Sequence, residues 1–429
     1  MNEPMTAAPA IAPTAAELGL AEQFRASPGA AASPARAAAF RRFESAGLPT
    51  RRVESWHYTD LRIALAKAAP LAAPPDEAAI AAAKDRLAKL PRLAPARFVL
   101  INGAFVAALS DPPPAGVTLA PPTASPTFSA DDPMLALTLA LAPAGVAATV
   151  APGARPSPIE VVHCFAGAGP LAVYSRLAIE VGADATAAFV ERFVGAGPET
   201  QRHASTAIDV AIGGALAHVA AIEDEPGLHV ESEVVRLAEG AALDAFGFVA
   251  GGALVRRQIF ARLAGKDARI GLAGLGLLDG NRHADTTLEV VHAAPRGESR
   301  EFYRHIVADE ATGVFQGKAI VQPGAQKTDG AMKSQAILLS PEATMNAKPE
   351  LEIFADDVVC GHGATIGALD PEQLFYLQAR GLPQQEAEAM LLEAFGAEAI
   401  SRVADAELAE ALLALMRDWL VRRGRGRLS

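Results

Sequence analysis

The most chemically suggestive stretch of the chain is Asp356-Asp-Val-Val-Cys360-Gly-His362-Gly-Ala-Thr365. If Glu350–His362 runs as one extended strand, even-numbered residues share a face. Cys360 and His362 then project together, ~6.6–6.8 Å apart along the strand. A thiolate beside an imidazole is a soft-to-borderline donor pair suited to iron, an iron–sulfur cluster or zinc. Two ligands do not close a tetrahedral site, so a metal here needs donors from elsewhere, a second chain being the natural source. The plainer reading is a buried free cysteine next to a structural histidine. His163-Cys164 is weaker, because adjacent strand residues face opposite ways.

Other chemistry fails on spacing. Gly313-Val-Phe-Gln-Gly317-Lys318-Ala319 imitates a phosphate-binding loop, but it is one residue short between its glycines. It also has Ala319 where a magnesium-binding hydroxyl is needed, so no ATP site is expected in this chain. Gly274-Leu-Gly276 lacks the third glycine of a dinucleotide fingerprint. There is no Gly-x-Ser-x-Gly elbow and no His-Glu-x-x-His zinc helix. Histidines 163, 203, 218, 229, 283, 292 and 305 are scattered singly and read as hydrogen-bonded structural or surface residues.

The elements that must position the Cys360–His362 pair belong to a chain of 429 residues, enough for two or three domains or one long repetitive body with appendages. A net charge of −11 argues against nucleic acid or an anionic lipid surface as partner. With 51% hydrophobic and 20% charged residues, the chain can bury a sizeable core. Two cysteines cannot form a disulfide framework, which favours a reducing compartment. The start, Met-Asn-Glu-Pro-Met-Thr, does not resemble a secretion signal, and a cytoplasmic protein is expected. Pro133–Ala154 is uncharged, but Pro143, Gly145, Pro152 and Gly153 interrupt it. It reads as a buried helix over Met134–Ala142 followed by a loop, with no membrane span.

Three regions follow. Residues 1–150 read as a mostly helical domain after a mobile tail of ~15 residues. Helices are expected over Ala15–Arg25, Ala35–Ala46 and Asp76–Leu90, and a strand over Arg97–Asn102. Residues 151–369 switch to short period-2 stretches such as Val173–Val181, Ala215–Ile222, His229–Leu237, Thr286–Val291 and Phe302–Val307. A turn signal recurs at Gly182, Gly214, Gly240, Lys266 and Glu310, and its first four occurrences are spaced like a solenoid repeat. Many short strands with no helices between them point to a β-solenoid or a sandwich; the quasi-repeat and the small interior residues favour a mainly β fold with a solenoid core and helical ends. Residues 370–429 form the C-terminal helical domain. Its first helix is Pro371–Arg380, capped by Asp370 and stopped by Gly381, and further helices run from near Pro383 to Phe395 and from Asp405 to Arg422. The basic Arg422–Arg427 tail reads as a frayed end complementing the last helix.

Five further stretches, taken with the Cys360 region, carry a resemblance. They are Phe302-Tyr-Arg-His305 through Gly317-Lys318, Lys327-Thr-Asp-Gly330, Lys348–Asp357, Glu372-Gln-Leu-Phe-Tyr-Leu-Gln-Ala-Arg-Gly381, and upstream Gly47-Leu-Pro-Thr-Arg-Arg-Val-Glu-Ser-Trp56-His-Tyr-Thr-Asp-Leu61. In this order they resemble the SufB/SufD family, scaffold subunits of the SUF iron–sulfur cluster assembly system. The resemblance is dense over residues 280–396, with a second anchor at 47–62 where His57 replaces the usual Lys or Arg. Ser334 matches the position of the cluster-seeding cysteine of the SufB branch, and Gly363 follows His362 where that branch has Glu. Both features are similar to the SufD branch.

The resemblance implies a right-handed parallel β-helix flanked by helical domains. It also implies a complex with a SufB-like scaffold and a SufC-like ATPase that docks on the C-terminal helical domain, placing the ATP chemistry in the partner. Leu374, Phe375, Tyr376, Arg380 and Gly381 are the expected partner-binding residues. His362 would face the partner's cysteine and help hold iron or a nascent cluster, with Cys360 as a second donor. ATPase closure would be transmitted through Pro371–Arg380 into the last strands. Nothing in the motifs speaks for or against a flavin. Two competing readings remain at this level: a polysaccharide-degrading solenoid enzyme, whose stacked carboxylates do not line up here, and a metal-free interaction platform or homodimer.

Overall fold

The computed structural model describes residues 12–27, 29, 33–122, 131–142, 145–167, 169–195, 197–223 and 227–426. The mobile tail expected at the start falls largely outside them. Four helices open the chain: α1 (Ala15–Ala26), α2 (Pro34–Ala46), α3 (Leu61–Ala64) and α4 (Glu77–Lys89). Strands β1 (Ala96–Ile101), β2 (Ala104–Phe105) and β3 (Val117–Ala120) precede helix α5 (Pro133–Leu141) and β4 (Val146–Val150). An unbroken run of strands follows: β5 (Ile159–Cys164), β6 (Leu171–Val181), β7 (Thr186–Val194), β8 (Thr200–Val210), β9 (Ala215–Ile222), β10 (Leu228–Leu237) and β11 (Ala242–Val249). It continues through β12 (Leu254–Leu263), β13 (Arg269–Leu278), β14 (His283–His292), β15 (Glu298–Val307), β16 (Thr312–Val321), β17 (Asp329–Leu338), β18 (Thr344–Ile353) and β19 (Val359–Gly367). Helices α6 (Pro371–Ala379), α7 (Gln384–Ile400) and α8 (Ala406–Gly426) close the chain.

From β4 on, successive strands alternate between two sheets. One is ordered β19-β17-β15-β13-β11-β9-β7-β5-β1-β2, the other β18-β16-β14-β12-β10-β8-β6-β4-β3. Pairing is parallel except at β1–β2 and β3–β4, so the core is a parallel β-solenoid. The solenoid therefore begins inside the region expected to be mainly helical. β3 and β4 are built from Val, Thr, Leu and Ala in an Ala- and Pro-rich background, which hides a short strand. The expected turn signals are its corners, where Asp184, Gly213, Gly240, Asp267 and Asp309 take left-handed φ values.

Each rung buries alternate residues inside. Phe98, Val161, Phe189, Leu216, Leu243, Ile270 and Phe315 belong to one continuous interior core. Each such side chain contributes ~1.5–3 kcal/mol by leaving water. The outer faces are covered by helices. On the nine-stranded sheet, α1, α2 and the uncharged α5 bury Phe24, Phe40, Leu137 and Leu141 against Tyr174, Val230 and Val234. On the ten-stranded sheet, α8 presents Leu408, Leu412, Met416 and Trp419, spaced along one helical face, to Val219, Phe248 and Leu275. No helix among the described residues is long and apolar enough to cross a membrane.

The Gly47–Leu61 motif is the clasp between the N-terminal helices and the solenoid. Trp56 is fully buried, its indole N–H donates to Asp132 at 3.0 Å, and the Arg256 guanidinium stacks 4.0 Å over its ring. Asp132 in turn accepts from the amides of Met134 and Leu135, both at 2.9 Å, and so caps α5. Gln258 on β12 reaches the same carboxylate at 2.7 Å.

Candidate iron site at the open end of the solenoid

The two ends of the solenoid differ. At the first end, antiparallel β2 and β3 flank the parallel ladders, and α4 packs on β1 and β5 through Ala83, Val99 and Val162. At the last end, β19 pairs only with β17 and β18 only with β16 among the described residues. Free edges of parallel sheet present unpaired amides and carbonyls, a template for another chain. Of the 12 exposed large apolar side chains described, six (Ile353, Phe354, Val359, Ile366, Phe375 and Tyr376) fall on these last strands, the corner between them and α6. Single exposed apolar residues are ordinary; a cluster beside two free edges marks an interaction surface.

Cys360 and His362 lie on β19, in that surface. The expected single strand over Glu350–His362 is not formed. β18 ends at Ile353 and β19 begins at Val359, because Asp356 and Asp357 turn the chain through a corner. Asp357 anchors it by accepting from the Lys327 ammonium at 2.7 Å, while its amide donates to Gln326 at 2.9 Å. The pair survives the correction, since both residues fall within β19, two apart and on one face. That face is the inner one: Cys360 is in register with Gly330 and His362 with Met332, which belongs to the interior core.

The terminal rung thus presents a thiol and an imidazole where the next rung's core would begin. Cys360 is half-buried over Gly330, with Val321, Ala325 and Ala355 beside it; His362 is exposed. Partial burial pushes the Cys360 thiol up, the Gly330 backbone hydrogen bond opposes this, and the charges of Asp329 and Glu301 reinforce it. A cation arriving at the site would reverse that shift, because a metal-bound thiol gives up its proton. Among the described residues, no three His, Cys, Asp or Glu side chains converge to hold a metal ion. Ser334 sits one rung inward, buried, in register with Ala364.

The residues expected to bind a partner lie on α6 and just beyond it. Asp370 caps this helix through the amides of Glu372 and Gln373, and Gly381 ends it at φ 92°. None of its side chains is buried; Phe375 is 71% and Tyr376 57% exposed. Arg380 stacks on the Tyr376 ring at 5.1 Å. The two rejected motifs are strand interiors. Gly313–Ala319 is extended within β16, and Gly274 and Gly276 lie within β13 under the Tyr303 and His305 side chains.

Comparison with known proteins matches residues 163–395, more than half of the chain, to the SufBD core domain of SUF system FeS cluster assembly. Residues 24–121 match the SufBD N-terminal region. The chain belongs to the SufBD family. It is 32% identical to the iron–sulfur cluster assembly protein SufD of Escherichia coli over 86% of its own length and 88% of that protein's. It is 36% identical to the chloroplastic protein ABCI7 of Arabidopsis thaliana over 37% of this chain and 34% of that one. A third relative, SufD of Bacillus subtilis, is 32% identical over 29% of this chain and 28% of its own. As a SufBD member, the chain is a SUF iron–sulfur assembly protein with a β-solenoid core.

What sequence reasoning missed in the site is its setting. Nothing in the spacing of Cys360 and His362 says that their strand is the last of its sheet. The nearest signal was compositional: the helix-capping Asp370-Pro371 follows the pair by only a few residues, leaving no room for another rung.

Proposed function

We propose that this chain is the non-ATPase scaffold of an iron–sulfur cluster assembly complex, working in the cytoplasm. Its open solenoid end meets a second, cysteine-bearing scaffold of the same family. Cys360 and His362 contribute donors to a site for iron or a nascent cluster that the partner completes. The observation that carries this reading is that the pair sits on the core-directed face of a terminal strand with a free edge. A partner adding its own last strands would seal the apolar rim and bring ligands to the same plane. Iron and sulfide are cargo in this scheme, and the chain itself performs no catalysis.

The exposed face of α6 is the natural seat for an ATPase partner. α6 follows β19 after a short link, so force applied to the helix reaches the strand that carries the donors. Replacing Phe375 and Tyr376 together by alanine is expected to leave the fold's stability within ~0.5 kcal/mol, since both side chains are exposed. The affinity for the ATPase should fall at least about tenfold, as for loss of an aromatic anchor. Denaturant titration and calorimetric binding measure the two quantities separately, and unchanged affinity would remove α6 from the interface.

The reading is tested by anaerobic affinity purification of the tagged chain, with iron and sulfide analysis of what co-elutes. A homologous scaffold and a P-loop ATPase are expected. Recovery of the chain alone, or as an iron-free homodimer, would leave a structural platform in its place.

A further inference from the structure

The interior of the solenoid is mostly apolar, but a polar and charged cluster runs through it from β5 to β12. Glu191 on β7, Glu231 and Glu233 on β10, and Arg257 on β12 are all buried, together with His163, His218 and His229 on β5, β9 and β10. The Glu191 carboxylate lies between two imidazoles, with His163 Nε2 and His218 Nε2 each at 2.9 Å, and accepts from Thr206 at 2.9 Å. His218 Nδ1 then faces Glu233 at 3.7 Å. Arg257 donates through Nε to Glu231 at 2.8 Å and through Nη2 to Glu233. His229 stands 3.8 Å from Glu231. The backbone makes room for this: a Cβ at Gly247 would overlap the Arg257 guanidinium, and one at Gly274 would meet the Tyr303 ring at 2.6 Å.

Counting charge decides what the cluster must contain. Three carboxylates face Arg257 and, beside His229, the Arg202 guanidinium stacked on Phe165 at 5.2 Å. Two fixed cations against three anions leave one negative charge uncovered in a dry interior, which is strongly unfavourable. A single proton removes the deficit. We propose that the cluster holds one exchangeable proton on the Glu233–His218 pair near neutral pH, and that its loss loosens the middle rungs of the solenoid.

The groups facing that pair are Glu191 from β7, Glu231 from β10, Arg257 from β12 and Tyr303 from β15, with His163 from β5 and Thr206 from β8 on Glu191, and His229 beside Glu231 with Arg202 from β8 next to it. Burial pushes Glu233 up to about 7, with Glu231 and Glu191 repelling its charge and Arg257 and His218 attracting it. Burial disfavours the charged form of His218, but its hydrogen bond to Glu191 and the charge of Glu233 prevail and raise it. Both shifts mean that the folded chain holds its proton more tightly than the unfolded one. Their contribution to stability is therefore lost as pH rises through the folded values. The buried His203, His229, His292 and His305 are shifted the other way and act only below their ordinary value. Burial pushes Glu301 on β15 up to about 7 as well, so only the comparison of two chains that share Glu301 and differ at Glu233 isolates the pair.

The test is hydrogen exchange of the full chain, parental against Glu233→Gln, between about pH 6.5 and about pH 8. Glutamine keeps the shape of the protonated acid and cannot lose its proton. The ratio of opening constants, parental to variant, in β7–β12 should rise about fourfold across the window, the change expected for one group titrating near 7. A constant ratio would overturn the proposal. Should Glu233→Gln fail to fold, His218→Gln serves. Without the imidazolium beside it Glu233 titrates later, so the loosening must move to higher pH, and an unmoved profile would overturn the proposal equally.

Discussion

Replacing Arg256 by alanine is expected to release the N-terminal helices from the solenoid. Arg256 is fully buried at the centre of the clasp. It donates to Asp285 at 2.5 Å and to the Ser55 carbonyl at 2.6 Å, while its guanidinium covers Trp56. Asp285 also accepts from Thr59 and, at 3.0 Å, from Thr287, so removing the arginine leaves a carboxylate that is buried, hydrogen-bonded and without its cation. Breaking such a pair from one side costs ~3–5 kcal/mol, and a desolvated cation–π contact adds up to ~2 kcal/mol on the same side chain. That is comparable with the net stability of an ordinary domain. The lost contacts are those to Ser55 and Trp56 and those to Asp285 on the neighbouring strand, all at one spot where the clasp meets the nine-stranded sheet, so the damage should be local. Limited proteolysis should cut within residues 47–60 while the β5–β17 core survives. Arg256→Lys keeps the charge but not the planar fork, and should recover only part of the loss. Parental protease resistance and unfolding behaviour in the alanine variant would show that the helices are held without the arginine.

This clasp also shows how legible the chain was. The Gly47–Leu61 stretch stood out as a motif, yet its sequence gives no hint that Trp56 needs Arg256 and Asp132, both far along the chain. The solenoid itself was readable, because each rung must turn a corner and corners demand residues that tolerate left-handed backbone, as Asp184, Gly213 and Gly240 do. The inner face of each strand was readable too, from period-2 alternation. What alternation cannot supply is which rung lies on which. His163, Glu191 and His218 come from three strands of one sheet, and Glu233 and Arg257 from two of the other. Read along the chain these histidines are isolated; stacked in register they converge on one carboxylate. Rung lengths drift by several residues, so small errors in register disperse the cluster. Cys360 and His362 were legible for the opposite reason, since two residues apart on one strand they need no register at all.

Replacing His362 by alanine is expected to leave the complex assembled and to empty it of clusters. His362 is exposed, and a Cβ at Gly361 or Gly363, on either side of it, would meet open space. No packing depends on the imidazole, and the stability change should stay within ~0.5 kcal/mol. The consequence for iron is different in scale. Second-sphere partners alone are worth ~10–100-fold in metal affinity, so a direct donor should cost at least about tenfold. Iron and sulfide bound per complex, measured after anaerobic co-purification, should drop accordingly while the subunit ratio stays parental. Cys360→Ser separates the two donors. The thiol is half-buried over Gly330 and held high by that burial, so it becomes a good ligand only once a cation has arrived to draw off its proton. The imidazole binds in its neutral form and stands further out, which makes it the donor positioned to meet iron first. The alanine variant should therefore lose more iron than the serine variant. The reverse order would put the thiol first, and parental iron in both would move the site off β19.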